Sequence, residues 1–256
     1  MLIDTHCHLD QFEDPEDALD RAAERGVRRV VAVGEDPESA RVALELKERF
    51  PGRVLAGIGL HPVWVVQNCR EDVEQGVSFI AENMAEADIL GEVGLDFKWA
   101  ETDGQKELQG EVLEKQFEIA ARNGKPINLH SRRCLRQVME RAVAFHRETG
   151  LNAQLHWFTQ SRKLVRICNQ EGIYVSVGPT AIDHPQTQEV ALSIADELLL
   201  LETDAPVPVA GCPGHPQRVR EVAEVLARLK GISREEIAER TTANFARFLD
   251  VDSTVL

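Results

Sequence analysis

The feature that most constrains the fold of this chain is an eightfold alternation of short apolar runs with longer amphipathic stretches. The runs occupy residues 2–8, 27–34, 53–60, 88–93, 125–130, 151–157, 172–177 and 197–204. Their length and apolar character read as strands. Helix-like stretches follow at 15–25, 36–50, 71–84, 103–123, 133–148, 161–171 and 185–195. Two more, at 217–229 and 234–249, come after the last run and a loop rich in Pro and Gly at 205–216. Local signals agree with these bounds. Pro37 stands in a first helical turn, Asn123-Gly124 stops a helix, and Ser233 with Glu236 makes a capping box. Eight β-α pairs with short connections favour a closed parallel α/β barrel, the (β/α)8 TIM barrel, over a doubly wound sheet. Neither G-x-G-x-x-G nor G-x-x-x-x-G-K occurs. The chain has 256 residues, the size of one such barrel. With no linker or low-complexity tract, residues 1–256 are expected to form a single domain.

Composition narrows the class. Apolar residues make up 43% of the chain, enough for a sizeable core. No apolar run approaches the ~20 residues that a membrane span needs. The first strand begins at the N-terminus itself, without the pattern of a signal peptide. The expectation is a cytoplasmic protein with no membrane partner, and nothing points to an obligatory protein partner. Five cysteines are scattered and form no C-x-x-C pair, so a disulfide framework or zinc ribbon is not indicated. Cys7 lies between two histidines on a strand, where the period of two turns it away from them. The net charge of −14 excludes a wide basic face for nucleic acid. A polyanionic substrate would have to meet positive charge that is local. Two divalent cations offset by Glu92 and Asp204 would leave roughly +2 at the site by formal charge.

The chemistry concentrates at the ends of the runs. His6 and His8, Glu92, His130, His156 and Asp204 each close an apolar run and open a loop. Imidazole and carboxylate hold divalent cations without thiolate, and strand ends are where an α/β barrel builds its catalytic floor. His6 and His8, two apart on a strand, project from one face. Glu92 lies in Gly91-Glu92-Val93-Gly94-Leu95-Asp96, where glycine permits close approach. Its two oxygens can bridge two cations. Asp204 follows four leucines, and a carboxylate there is costly to bury unless paired or metal-bound. His61, in Gly59-Leu60-His61-Pro62, reaches the same rim and can contact substrate. Arg132 and Arg133 can neutralise a phosphate or simply start a solvated helix. Asp10 and Glu13 read as turn and cap residues, and Asp96 as a loop residue. His146, His184 and His215 read as solvated. Two positions before His6, His130, His156 and Asp204 stand Asp4, Asn128, Gln154 and Glu202. Strand alternation points these inward beneath the ligands, where metal-bound imidazoles need acceptors.

These motifs have a known parallel. Thr5-His6-Cys7-His8-Leu9-Asp10, Gly59-Leu60-His61-Pro62, the Gly91–Asp96 stretch, His130-Ser131-Arg132, His156-Trp157-Phe158 and Glu202-Thr203-Asp204-Ala205-Pro206 together resemble the TatD family of metal-dependent deoxyribonucleases. Thr241-Thr242-Ala243-Asn244-Phe245-Ala246-Arg247-Phe248 is similar to that family's C-terminal signature. The resemblance runs in order over nearly the whole chain. It implies a TIM barrel of the amidohydrolase type, two metals and hydrolysis of DNA phosphodiesters from an end. It also implies that His6, His8, Glu92 and Asp204 surround one metal, and Glu92, His130 and His156 the other. Two positions depart from the family. Trp157 stands where a cysteine is usual, and Val209–Pro216 lacks the basic stretch usual after strand eight.

The mechanism expected is two-metal attack of water on phosphorus, with Asp204 as general base. Four histidines and two carboxylates suit zinc, manganese or iron(II), with magnesium able to support activity. The substrate expected is DNA, as single strands or ends. The alternative is an amidohydrolase acting on a C–N or carboxylic ester bond of a small molecule. Many such barrels bridge their metals with a carboxylated lysine at strand four, but Glu92 holds that place and Lys98 lies beyond it. A non-catalytic barrel with a structural metal is disfavoured, because six ligands exceed a closed four-coordinate site.

Overall fold

The computed structural model describes residues 1–252. Its strands are β1 (Leu2–Cys7), β2 (Val27–Val33), β3 (Val54–Ile58), β4 (Ile89–Asp96), β5 (Ile127–Arg132), β6 (Ala153–Leu155), β7 (Tyr174–Val177) and β8 (Leu199–Leu201). The helices are α1 (Pro15–Glu24), α2 (Pro37–Arg49), α3 (Pro62–Gln67), α4 (Arg70–Asn83), α5 (Asp103–Asn123), α6 (Leu135–Thr149), α7 (Arg162–Glu171), α8 (Pro185–Ser193), α9 (Val219–Lys230) and α10 (Arg234–Leu249). The strands lie in the order β1 to β8, and every neighbouring pair is parallel. Past the end of β8, Cys7 pairs with Ala205 and His8 N donates to Ala205 O at 2.7 Å, which draws the last strand back to the first. This is the (β/α)8 barrel that the alternation implies. The expected domain of residues 1–256 includes 253–256, which lie outside the described residues.

The period of two sorts each strand into two faces. On β5, Ile127 and Leu129 are buried in the apolar layer shared with the helices, while Asn128 and His130 belong to the polar interior. On β6, Ala153 and Leu155 join that layer, and Gln154 turns inward to Thr5 and Ser176. The barrel thus has an apolar jacket and a polar floor under its C-terminal mouth. Gly94 makes the mouth possible. Its φ of +153° suits glycine, and a Cβ there would lie 2.1 Å from His130 O.

Several boundaries shift for physical reasons. The eighth strand, expected over 197–204, is only Leu199–Leu201. Asp196–Leu198 form a 3-10 turn, and past Leu201 Glu202 N still donates to Val177 O while Thr203 N turns to Asp4; the Glu202 side chain accepts from Trp157 N and Ser176 Oγ. The fifth strand runs on to Arg132, and Arg133 takes a φ of +63°. These two arginines are therefore not the start of a helix, which begins at Leu135. The sequence reading also passed over α3, where Pro62 occupies the first turn and His61 Nδ1 caps Val63 N at 3.1 Å. His146 and His215 are half-buried rather than solvated. His146 Nδ1 lies 2.8 Å from Leu151 O, and His215 caps Gln217 N. No helix among the described residues is long and apolar enough to cross a membrane.

Candidate metal centre

Glu92, buried in the middle of β4, which runs on past the expected residue 93 to Asp96, organises the mouth of the barrel. Its two oxygens face different groups of nitrogen atoms. Oε2 lies 3.4 Å from His6 Nε2 and 3.5 Å from His8 Nε2. Asp204 Oδ1 closes that group, at 3.4 Å from His6 Nε2 and 3.2 Å from His8 Nε2. Oε1 lies 2.8 Å from His130 Nδ1 and 2.8 Å from His156 Nε2, which are 3.4 Å apart. All six candidate ligands therefore meet around one carboxylate.

In the first group the spacing suits a cation better than hydrogen bonds, whereas the 2.8 Å contacts of Glu92 Oε1 with His130 Nδ1 and His156 Nε2 are hydrogen-bond distances. A tetrahedral ion with ligand distances of ~2.1 Å separates its ligand atoms by about 3.4 Å. The four edges of the first group, at 3.2 to 3.5 Å, match that figure. His6 Nε2 is buried and has no hydrogen-bond partner, which is where a cation would satisfy it. The residues present thus fit a divalent metal.

For His6, His130 and His61 an outer hydrogen bond fixes which nitrogen the ring turns inward. His6 Nδ1 lies 3.0 Å from Asn128 Oδ1, so its proton sits there and Nε2 presents a lone pair. His130 Nε2 lies 3.2 Å from Asp96 Oδ2, which leaves Nδ1 for the centre. His156 Nδ1 and His8 Nδ1 are buried without a hydrogen-bond partner, and the nearest carboxylate oxygens, Glu202 Oε2 and Glu35 Oε2, lie 3.9 Å away. His61 differs. Its Nδ1 accepts from Val63 N, so Nε2 carries the proton and directs it toward Glu92 Oε1 at 3.5 Å. That tautomer makes His61 a donor rather than a ligand, although it stands close enough to group with Glu92 and His130. His6, His156 and Glu202 also stand together, but Glu202 is engaged by Ser176 Oγ at 2.6 Å and by Trp157 N.

The expected layer beneath the ligands is present. Asp4, Asn128, Gln154 and Glu202 are fully buried. Its pairing is crosswise rather than along each strand: Asn128 of β5 serves His6 of β1, and Asp4 binds Thr203 N at 2.9 Å. Burial pushes Glu202 up to about 8 and Asp4 up to about 7. At the centre, burial would raise Glu92 and Asp204, but the surrounding imidazoles hold both well below the usual carboxylate range. Burial would lower His6, His8 and His130, but the carboxylates outweigh it, taking His8 to about 8 and His130 to about 9. His156 falls to about 4, first by burial and then by the neighbouring His6, whose ring stacks on it at 3.9 Å. The carboxylates that favour protons on His6, His8 and His130 would equally favour a cation in their place, with His156 already neutral.

Above the centre opens a cavity of about 870 Å³, with Arg132 and Arg133 on its wall. Two more lining residues matter: Asp96, whose loop-ordering role the sequence already suggests, and Glu35, which it does not single out. Asp96 accepts from Lys98 N at 2.8 Å with one oxygen and faces His130 with the other, so it orders its loop and the ring together. Glu35, just past β2, approaches His8 and His61, and like the candidate ligands it ends an apolar run. Cys7 is buried with its Sγ toward Ala205 O, away from the centre.

A barrel whose strand ends gather four histidines and two carboxylates around a shared cavity belongs to the metal-dependent hydrolase class. The chain is a member of the TatD family: the family model "TatD related DNase" matches residues 3–250. It is 34% identical to the "Uncharacterized metal-dependent hydrolase YabD" of Bacillus subtilis, over 98% of this chain and 100% of that one. It is 32% identical to human "Deoxyribonuclease TATDN3", over 95% of this chain and 92% of that one. The crystal structure of the TatD homologue YjjV from Escherichia coli superposes with a TM-score of 0.85 at 30% identity, covering 98% of both chains.

Proposed function

We propose that the protein hydrolyses DNA phosphodiesters at two divalent cations, zinc, manganese or magnesium, held by His6, His8, Glu92, His130, His156 and Asp204. One observation carries the reading: the two oxygens of Glu92 face two separate groups of nitrogens, as a bridging carboxylate would. When bound, the cations would activate water for attack and stabilise charge on the phosphoryl oxygens. The chain supplies the rest. Asp204 is held anionic, and its φ of +54° carries the carboxylate out from the end of β8 between His6 and His8, ready to take a proton from water. The Nε2 proton of His61 is available to a phosphoryl oxygen. Arg132 and Arg133 supply positive charge on the cavity wall where the backbone phosphate would lie.

The naming of human TATDN3 as a deoxyribonuclease supports DNA as substrate, and an open mouth over a buried centre suits single strands or ends. The amidohydrolase alternative places a carboxylated lysine between the metals. Lys98 does not meet that geometry: it is exposed, and its Nζ lies 5.4 Å from the centre of the Trp99 ring. The test is to incubate metal-loaded protein with single-stranded DNA, bis-p-nitrophenyl phosphate and a panel of amides and lactones. Turnover of the phosphodiesters with the panel untouched is expected. The reverse pattern would overturn the assignment.

A further inference from the structure

We propose that Trp99 is a platform on which an unpaired nucleobase stacks, so that the cavity grips a nucleotide by its base as well as by its phosphate. The proposal rests on the nuclease reading and adds a base subsite to it. Large apolar side chains exposed on this protein include Trp99 at 46% and Val207 at 40%, and both line the cavity above the centre. Isolated exposed apolar side chains are ordinary on protein surfaces. A tryptophan on the wall of the cavity that holds the candidate metal ligands is not ordinary, because its ring meets whatever the site binds.

The backbone that bears the indole is held in place. Trp99 N donates to Asp96 Oδ1 at 3.3 Å, and Lys98 N to the same oxygen at 2.8 Å. The other oxygen of Asp96 holds His130 at 3.2 Å. One carboxylate therefore fixes both the loop that bears Trp99 and a candidate metal ligand. Asp96 pairs across the sheet with Arg132, and Phe97 N donates to Arg132 O at 2.9 Å. A cation and a flat aromatic surface thus rise from adjoining strand ends at one corner of the mouth. A phosphate at Arg132 with its own base over Trp99 matches that layout. Lys98 Nζ stands over one face of the ring, 5.4 Å from its centre, so a base would take the other face. A paired base in duplex has both faces covered, so this subsite selects single strands and frayed ends.

Two measurements test the proposal. Calorimetry on metal-free protein compares thymidine 5′-monophosphate with deoxyribose 5-phosphate, which has the phosphate but no base. Trp99→Leu should weaken the nucleotide roughly ten-fold, within the range of base–aromatic stacking, and leave the sugar phosphate unchanged. Trp99→Phe should restore most of the difference. Equal loss for both ligands, no loss for either, or no binding of the nucleotide by the wild type overturns the proposal. With metal present, Trp99→Leu should lower kcat/KM about ten-fold on a single-stranded oligonucleotide and not on one of tetrahydrofuran residues. If the wild type cleaves neither strand, the nuclease reading fails, and calorimetry still decides on Trp99.

Discussion

Glu202 gives a prediction whose sign and size follow from its surroundings. The carboxyl is fully buried beneath His156 and rises from the ordinary 4.5 to about 8, chiefly because burial disfavours its charge. The folded protein therefore holds a proton that the unfolded chain releases near pH 4.5. Stability from this group is fully present below the unfolded pKa and is lost as pH rises through the folded one. The slope is about 1.4 kcal/mol per pH unit between the two, several kcal/mol across the window. In Glu202→Gln a neutral amide replaces the proton-bearing carboxyl and keeps polar groups facing Ser176 Oγ and Trp157 N. Urea unfolding of metal-free protein from pH 5 to pH 9 measures the difference. The variant should match the wild type near pH 5 and exceed it by a few kcal/mol at pH 9, with the gap opening between pH 5 and 8. A constant gap across that range would refute the assignment of a buried neutral acid.

Other outcomes follow from the same geometry. Asp204→Asn should lower kcat by about 10²- to 10⁴-fold, the range for a positioned general base, while elemental analysis still finds metal at the His130 and His156 group. Near-normal turnover at saturating metal would remove Asp204 from that role. Binding of single-stranded DNA should show a shallow salt dependence, a log–log slope of roughly −1.5 to −2, because two or three phosphates contribute about 0.7 each. Replacing Arg132 and Arg133 with alanine should flatten it, and an unchanged slope would make them solvated charges. Gly94→Ala should lower the midpoint of thermal unfolding by many degrees, since its Cβ would lie 2.1 Å from His130 O.

Much of this was legible in the chain because the barrel writes its geometry into spacing. Strand ends are marked by apolar runs that finish in a polar residue, and the period of two predicted that Asn128 and Gln154 would sit inward. What stayed illegible depends on contacts between strands. Nothing near Asn128 in sequence shows that it serves His6, 122 residues away. Asp96 read as a loop residue because its bond to His130 spans 34 positions. Strand eight reads too long because no turn residue separates the leucine run from Glu202-Thr203-Asp204, while the backbone N of Thr203 bonds to the distant Asp4 and not to a neighbouring strand. The helix Pro62–Gln67 carried a proline at its start but was too short to show a period.

The central claim is that Glu92 serves two cations at once, and metal stoichiometry tests it most directly. Elemental analysis after saturation with zinc or manganese should find two ions per chain in the wild type. His130→Ala with His156→Ala should keep one, because His6, His8, Glu92 and Asp204 remain, and Glu92→Gln should weaken both sites. One ion in the wild type, or two in the double variant, would contradict the account.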